Sequence, residues 1–188
     1  NNQVGLAQIN AVTLNNYGYN GSGVKVAVVD SGIASSHAEF GRTIYGRDFG
    51  GSTNGYGSDE DGHGTHVASI IAGDRDGSGM RGVAYEATLY DYRVANDAGS
   101  FVGLNGDNGL ANIFNQHVTD SIRVSNNSWG TSSGTSITSV SEATLRSSLS
   151  KTITAAKAAI DNGTLFVFAA GNDGNAQVDV FGGIPHRI

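Results

Sequence analysis

The stretch DEDGHGTHVASIIAG (59–73) places two histidines, His63 and His66, among glycines, with carboxylates before them and an apolar run behind. An imidazole at the start of a helix is a proton acceptor in waiting, because the positive helix end disfavours the imidazolium form. Such a base needs a carboxylate to fix its tautomer and stabilise the cation it becomes. Asp30, which closes the apolar run of GVKVAVVDSG (23–32), can supply one. Asn172, at the end of TLFVFAAGN (164–172), brings an amide able to donate to an oxyanion, an interaction worth about 3–4 kcal/mol in a transition state. Base, orienter and oxyanion donor are three of the four parts of an acyl-transfer site, and the fourth is a nucleophile. Zinc is the rival for the two histidines. Their i, i+3 spacing lacks the i, i+4 separation and intervening Glu of the zinc helix motif, so no metal is assigned to them. His66 is read as packing beside the site, and His37, His117 and His186 as surface or helix-face residues.

These groups need elements to position them. Val24 to Val29 is a nearly continuous apolar run, the signature of a strand buried on both faces. ATLYDYRV (87–94) and SIRVSNNSWG (121–130) read as further strands, the latter running into a turn. TLFVFAAGN reads as another buried strand. Val67, Ala68, Ile70 and Ile71 mark the apolar face of a short helix that stops at Gly73. Leu110, Ile113, Phe114 and His117 mark a second helix. Ser139 and Glu142 form a capping box, and Leu145, Leu149, Ile153, Ala156 and Ile160 then trace one face of a third, ended by Gly163. Strands alternating with helices predict one α/β domain with a mainly parallel sheet. Asp30, Asn126 to Ser128 and Asn172 all follow strand ends, the edge at which such sheets bind ligands.

Composition sets the outer limits. The chain has 188 residues, a formal net charge of −6, 15% charged residues and 28 glycines. The acidic balance argues against nucleic acid or an anionic membrane as partner. No run is long enough to span a bilayer, and Asn1 does not open a signal peptide, so an exported protein would be present in processed form. The absence of cysteine excludes disulfides, thiolate metal sites and cysteine nucleophiles.

VAVVDSGI (26–33), DGHGTHVASIIAG (61–73), SNNSWG (125–130) and FAAGN (168–172) resemble, in order and spacing, successive motifs of the subtilisin-like serine proteases. The N-terminal LAQINAVTLNNYGYNGSGVKVAVVDSGI resembles the family's entry into its first core strand. The resemblance implies a three-layer α/β fold with a mainly parallel central sheet flanked by helices. It implies that Asp30 orients His63, that His63 acts as general base and then general acid, and that Asn172 is the oxyanion donor. Gly99 and Ser100 match the segment that pairs with extended substrate backbone. Ser128, Trp129 and Gly130 match a wall of the primary pocket, with Trp129 in place of a smaller aliphatic residue and so a question over pocket size. A polypeptide substrate is implied, with no cofactor for the chemistry.

The family's nucleophile motif, Gly-Thr-Ser-Met-Ala, is absent. Gly134-Thr135-Ser136 follows the pocket segment inside a Ser/Thr-rich loop, which is the wrong context for it. Residues 1–188 are therefore expected to be the N-terminal portion of a single protease domain, incomplete at its C-terminus and inactive alone. A C-terminal fragment of its own, or a propeptide, is the expected protein partner. GDRDGSGMRG (73–82) resembles a family calcium loop in length and position, with Glu39 and Asp76 where side-chain ligands stand, and a solvated acidic turn is the alternative. The SNNSWG wording and Gly/Asn-rich style resemble autotransporter passengers, implying a secreted or bacterial cell-surface protein. The alternative function is a non-catalytic, protease-like peptide-binding module without the nucleophile.

Overall fold

The computed structural model describes residues 4–130 and 141–172. Two short helices, α1 (Val4–Gln8) and α2 (Ala11–Asn16), lead into β1 (Lys25–Asp30), the central strand. There follow β2 (Tyr45–Asp48), α3 (His63–Ala72), β3 (Thr88–Arg93), α4 (Gly106–Asp120), β4 (Val124–Asn127), α5 (Glu142–Ser148), α6 (Ser150–Asp161) and β5 (Leu165–Phe168). The strands form one wholly parallel sheet in the order β2-β3-β1-β4-β5. Parallel pairing brings every carboxyl end to the same edge, and the expected α/β architecture is present.

The period of two along β1 divides the core. Val26 and Val28 pack with Leu89 of β3 and with Ala68 and Ala72 of α3. Ala27 and Val29 pack on the other face with Tyr92, with Ile113 and Phe114 of α4, and with Ala155 and Ala156 of α6. Three layers result, α3 against the sheet and the sheet against α4 and α6. By the same alternation Asp30 leaves the sheet on the α3 face, and so do Asp91 and Arg93, which follow Leu89 at steps of two along β3.

Three expectations are corrected. The last strand is half-exposed instead of buried, with Leu165 63% and Val167 45% exposed, because β5 is the edge strand among the described residues. The third helix is two helices, interrupted at Leu149 (φ −125°, ψ 34°), and its core face carries Thr152, Ala155, Ala156 and Ala159 while Ile160 is turned outward. Its N-cap is Ser141, whose hydroxyl accepts from Thr144 N, while Ser139 lies outside the described residues. Strand β2 is additional; Tyr45-Gly46-Arg47-Asp48 has little apolar pattern and is a strand because it pairs with β3. Among the described residues no helix is long and apolar enough to cross a membrane.

Candidate active site

Asp30 ends β1 fully buried, and His63 is the first residue of α3. Close approach of the two elements depends on two glycines. A Cβ at Gly64 would lie 2.2 Å from Gly32 O, and one at Gly32 (φ +134°) 2.1 Å from Ser58 O. With hydrogen in both places, the first turn of α3 sits directly on the end of β1. Gly64 N also donates to Ser31 Oγ at 2.9 Å, and Ala34 N to Thr65 Oγ1 at 2.9 Å.

His63 Nδ1 lies 2.7 Å from Asp30 Oδ1, which also accepts from Ser31 N at 2.7 Å. An ionised carboxylate only accepts, so the Nδ1 of His63 carries the proton and Nε2 is the basic nitrogen. Burial raises the Asp30 carboxyl, against the opposing effect of its His63 and Ser31 hydrogen bonds. The hydrogen bond to Asp30 raises the His63 imidazole above its ordinary value, outweighing partial desolvation. This pairing opposes the effect of the helix start, which disfavours the imidazolium form.

His63 opens onto a cleft of about 790 Å³ lined by Asp61, Ser100, Phe101, Leu104, Asn105, Ser128, Trp129 and Gly130. Four of the five expected substrate-contacting residues therefore meet at one place. Gly99, the fifth, lies at the rim, where a Cβ would come 3.7 Å from Asp61 Oδ2. Trp129 is 9% exposed, its ring edge-on to Phe168 at 5.7 Å, so the indole belongs mainly to the core and does not fill the cleft. Asn172 is exposed four residues beyond β5, at the same sheet edge, and is not among these lining residues. His66 is exposed, contrary to its expected packing role, because the helix turns it away from the sheet. His117 is wholly buried between Ile113 O and Ser125 Oγ, each 2.7 Å away, and desolvation lowers it to about 4. Ser136 lies outside the described residues.

Asp59 and Asp61 escaped the sequence reading. Asp59 accepts from Gly62 N and Thr65 N, both at 2.9 Å, and from Thr65 Oγ1 at 2.6 Å, so it caps the helix that carries His63. Asp61 accepts from His63 N at 3.2 Å. An acidic residue two to four places before a helix start was the signal available for both. Among the described residues no three His, Cys, Asp or Glu side chains gather as a metal site. Glu39 accepts from Met80 N at 3.1 Å and Asp76 from Ser78 N at 2.8 Å. Each acid thus has one carboxylate oxygen on the backbone of the 73–82 loop.

The model of the Subtilase family matches residues 21–183. Subtilisin J of Geobacillus stearothermophilus is 33% identical over 183 residues, which is 97% of this chain and 43% of that protein. An extracellular serine protease of Serratia marcescens is 39% identical over 134 residues, 69% of this chain and 12% of that protein. The solved structure of Sphericase superposes with a TM-score of 0.61 at 29% identity, covering 84% of this chain and 48% of its own. The chain thus spans under half the length of each of these three. With the paired acid and imidazole at its sheet edge and the family model over nearly its whole length, the chain belongs to the Subtilase family.

Proposed function

We propose that the chain is the acid–base portion of a subtilisin-like serine endopeptidase that hydrolyses peptide bonds through an acyl-enzyme, with the nucleophilic serine supplied by a segment outside these 188 residues. One observation carries this reading: the 2.7 Å contact between Asp30 Oδ1 and His63 Nδ1 at the wall of a cleft. In the reaction Nε2 of His63 takes the serine hydroxyl proton as the oxygen attacks the peptide carbonyl, then returns it to the leaving amine. Asp30 holds the ring in the tautomer that leaves Nε2 free and faces the positive charge formed on it. Its burial makes this interaction strong, since little water screens it. The amide of Asn172 donates to the oxyanion. Gly99 and Ser100 pair with extended substrate backbone, and Ser128, Trp129 and Gly130 wall the pocket for one side chain. The name of the Serratia relative supports reading this protein too as exported, to the medium or the bacterial cell surface.

The test is a chain extended to include the serine-bearing segment, assayed on a tetrapeptide p-nitroanilide and with a fluorophosphonate label. Hydrolysis and labelling are expected, both lost in His63→Ala. Peptide binding with neither hydrolysis nor labelling would overturn the enzyme reading in favour of a binding module.

A further inference from the structure

Strand β3 carries two charged residues, Asp91 and Arg93, where a strand covered on both faces ordinarily has apolar ones. Both are fully buried on the α3 face, and Arg93 stands in register with Asp30 on the adjacent strand. A guanidinium withdrawn from water is tolerated only when its charge and its N–H groups are matched. The acceptors that match it come from two segments. Before α3, Arg93 donates to Gly55 O at 3.4 Å, Ser58 O at 3.1 Å, Ser58 Oγ at 2.5 Å and the Glu60 carboxylate. After β3 it donates to Ala95 O at 3.0 Å, Asn96 O at 3.4 Å and Asp97 Oδ1 at 3.5 Å. Asp91 grips the first segment again, accepting from Gly57 N at 2.8 Å.

Each segment delivers one part of the site. The first contains Asp59, which caps the turn that begins with His63. In the second, Asn96 Oδ1 accepts from Ala98 N and Ser100 N, both at 3.0 Å, and Asn96 N donates to Ser100 O at 2.9 Å. Ser100 lines the cleft. We propose that Arg93 is a positioning residue, a buried cation that locks segment 55–60 to segment 95–97 and so holds His63 and the substrate-pairing edge in one frame. The inference rests on the reading of His63 as the base. Displacing either segment strands part of a desolvated guanidinium, so the two hold together or loosen together. Lysine, a single point donor, reaches fewer of these acceptors than the planar fork of arginine.

The test compares wild type, Arg93→Met, Arg93→Lys and Glu60→Gln in the 188-residue chain by NMR, following the His63 imidazole titration and amide hydrogen exchange. In Arg93→Met, exchange at Gly62, Thr65 and Ser100 is expected to quicken by about tenfold or more, with Val28 and Leu89 unchanged. The His63 midpoint is expected to fall toward its ordinary value. Arg93→Lys restores part of both effects, and Glu60→Gln moves them the same way by less. Glu60 is only partly covered, so its variant decides the matter if Arg93→Met does not fold. Unchanged exchange and titration overturn the proposal, as does equal acceleration at Val28 and Leu89, which would mark Arg93 as general scaffold. A serine-bearing enzyme that fails to cleave the p-nitroanilide would refute the base reading alone and leave the measured frame standing.

Discussion

At the carboxyl ends of β1 and β3, Asp30, Asp91 and Arg93 are withdrawn from solvent, while beyond β5 the chain carries Ala170, Gly171 and Asn172 through the open. Both regions belong to one sheet edge and both hold residues proposed to act on the same substrate. They differ in what positions them. On the β1–β3 side each functional group is held by residues of this chain: Asp30 by Ser31 and His63, His63 by the Asp59 cap, and the loops by Arg93. On the β5 side the described backbone from Leu165 to Ala169 is bonded to residues 123–127, in and just before β4. The proposed base is therefore held by contacts within this chain, while the proposed oxyanion donor lies exposed four residues beyond the strand that precedes it.

The sharpest way to break the comparison is on the ordered side. Asp30→Asn in the serine-bearing enzyme is expected to lower kcat by about 10⁴-fold with KM little changed, because an amide at this place favours the wrong tautomer of His63. Steady-state kinetics on the p-nitroanilide measure it, and a loss under tenfold would mean that Asp30 does not orient the base. On the open side, Asn172→Ala is expected to lower kcat by about 10²–10³-fold, again at near-constant KM, since the amide is proposed to meet only the oxyanion. If Asn172→Ala raised KM and left kcat alone, that residue would be a ground-state contact.

The β1–β3 side was also the more legible in the sequence, for physical reasons. An unbroken run from Val24 to Val29 has little choice but a doubly covered strand, and Asp30 at its end then lies on the functional edge. Glycines before and after His63 announce a tight entry to a helix. Arg93 and Asp91 were not legible as site-building groups, because a charge in a strand reads as a solvent-facing residue until the 55–60 loop is seen to cover it. β2 was hidden for a related reason: pairing with β3, where a Cβ at Gly46 would lie 2.1 Å from Asp91 O, makes it a strand, and no local pattern does. The break at Leu149 has no glycine or proline to announce it. In β5 the run Leu165 to Phe168 is apolar at every position, so the pattern spoke for burial on both faces and could not show which face would be left open.

Leu89 tests the covered layers. It is fully buried between β1 and α3, and Leu89→Ala is expected to destabilise the 188-residue chain by about 2–5 kcal/mol in urea unfolding. A cost below about 1 kcal/mol would mean that this layer collapses around the lost side chain. A subtler test uses pH. The folded state raises the His63 imidazole above 6.5, so the stability it contributes is fully present below about pH 6.5 and is lost as pH rises through the higher folded value. Activity in the serine-bearing enzyme should run the other way, increasing through that same midpoint as Nε2 becomes free to accept. Urea midpoints of wild type and His63→Gln across pH 5–9 are expected to converge as pH rises, and divergence would reverse the assigned shift.

The smallest effect is expected on the outer face of β5. Leu165 is 63% exposed, so truncating it removes little apolar contact, and Leu165→Lys should change the stability of the chain by no more than about 0.5 kcal/mol. A lysine on a sheet edge also discourages pairing with a second molecule, so the variant should be at least as soluble as the wild type. Urea unfolding of the same 188 residues checks the first point and light scattering the second. A loss above about 1 kcal/mol is the informative surprise, because a side chain standing in water cannot cost that much. It would mean that this face of β5 is covered in solution, and Asn172, a few residues further along, would then be set by packing as firmly as Asp30 is.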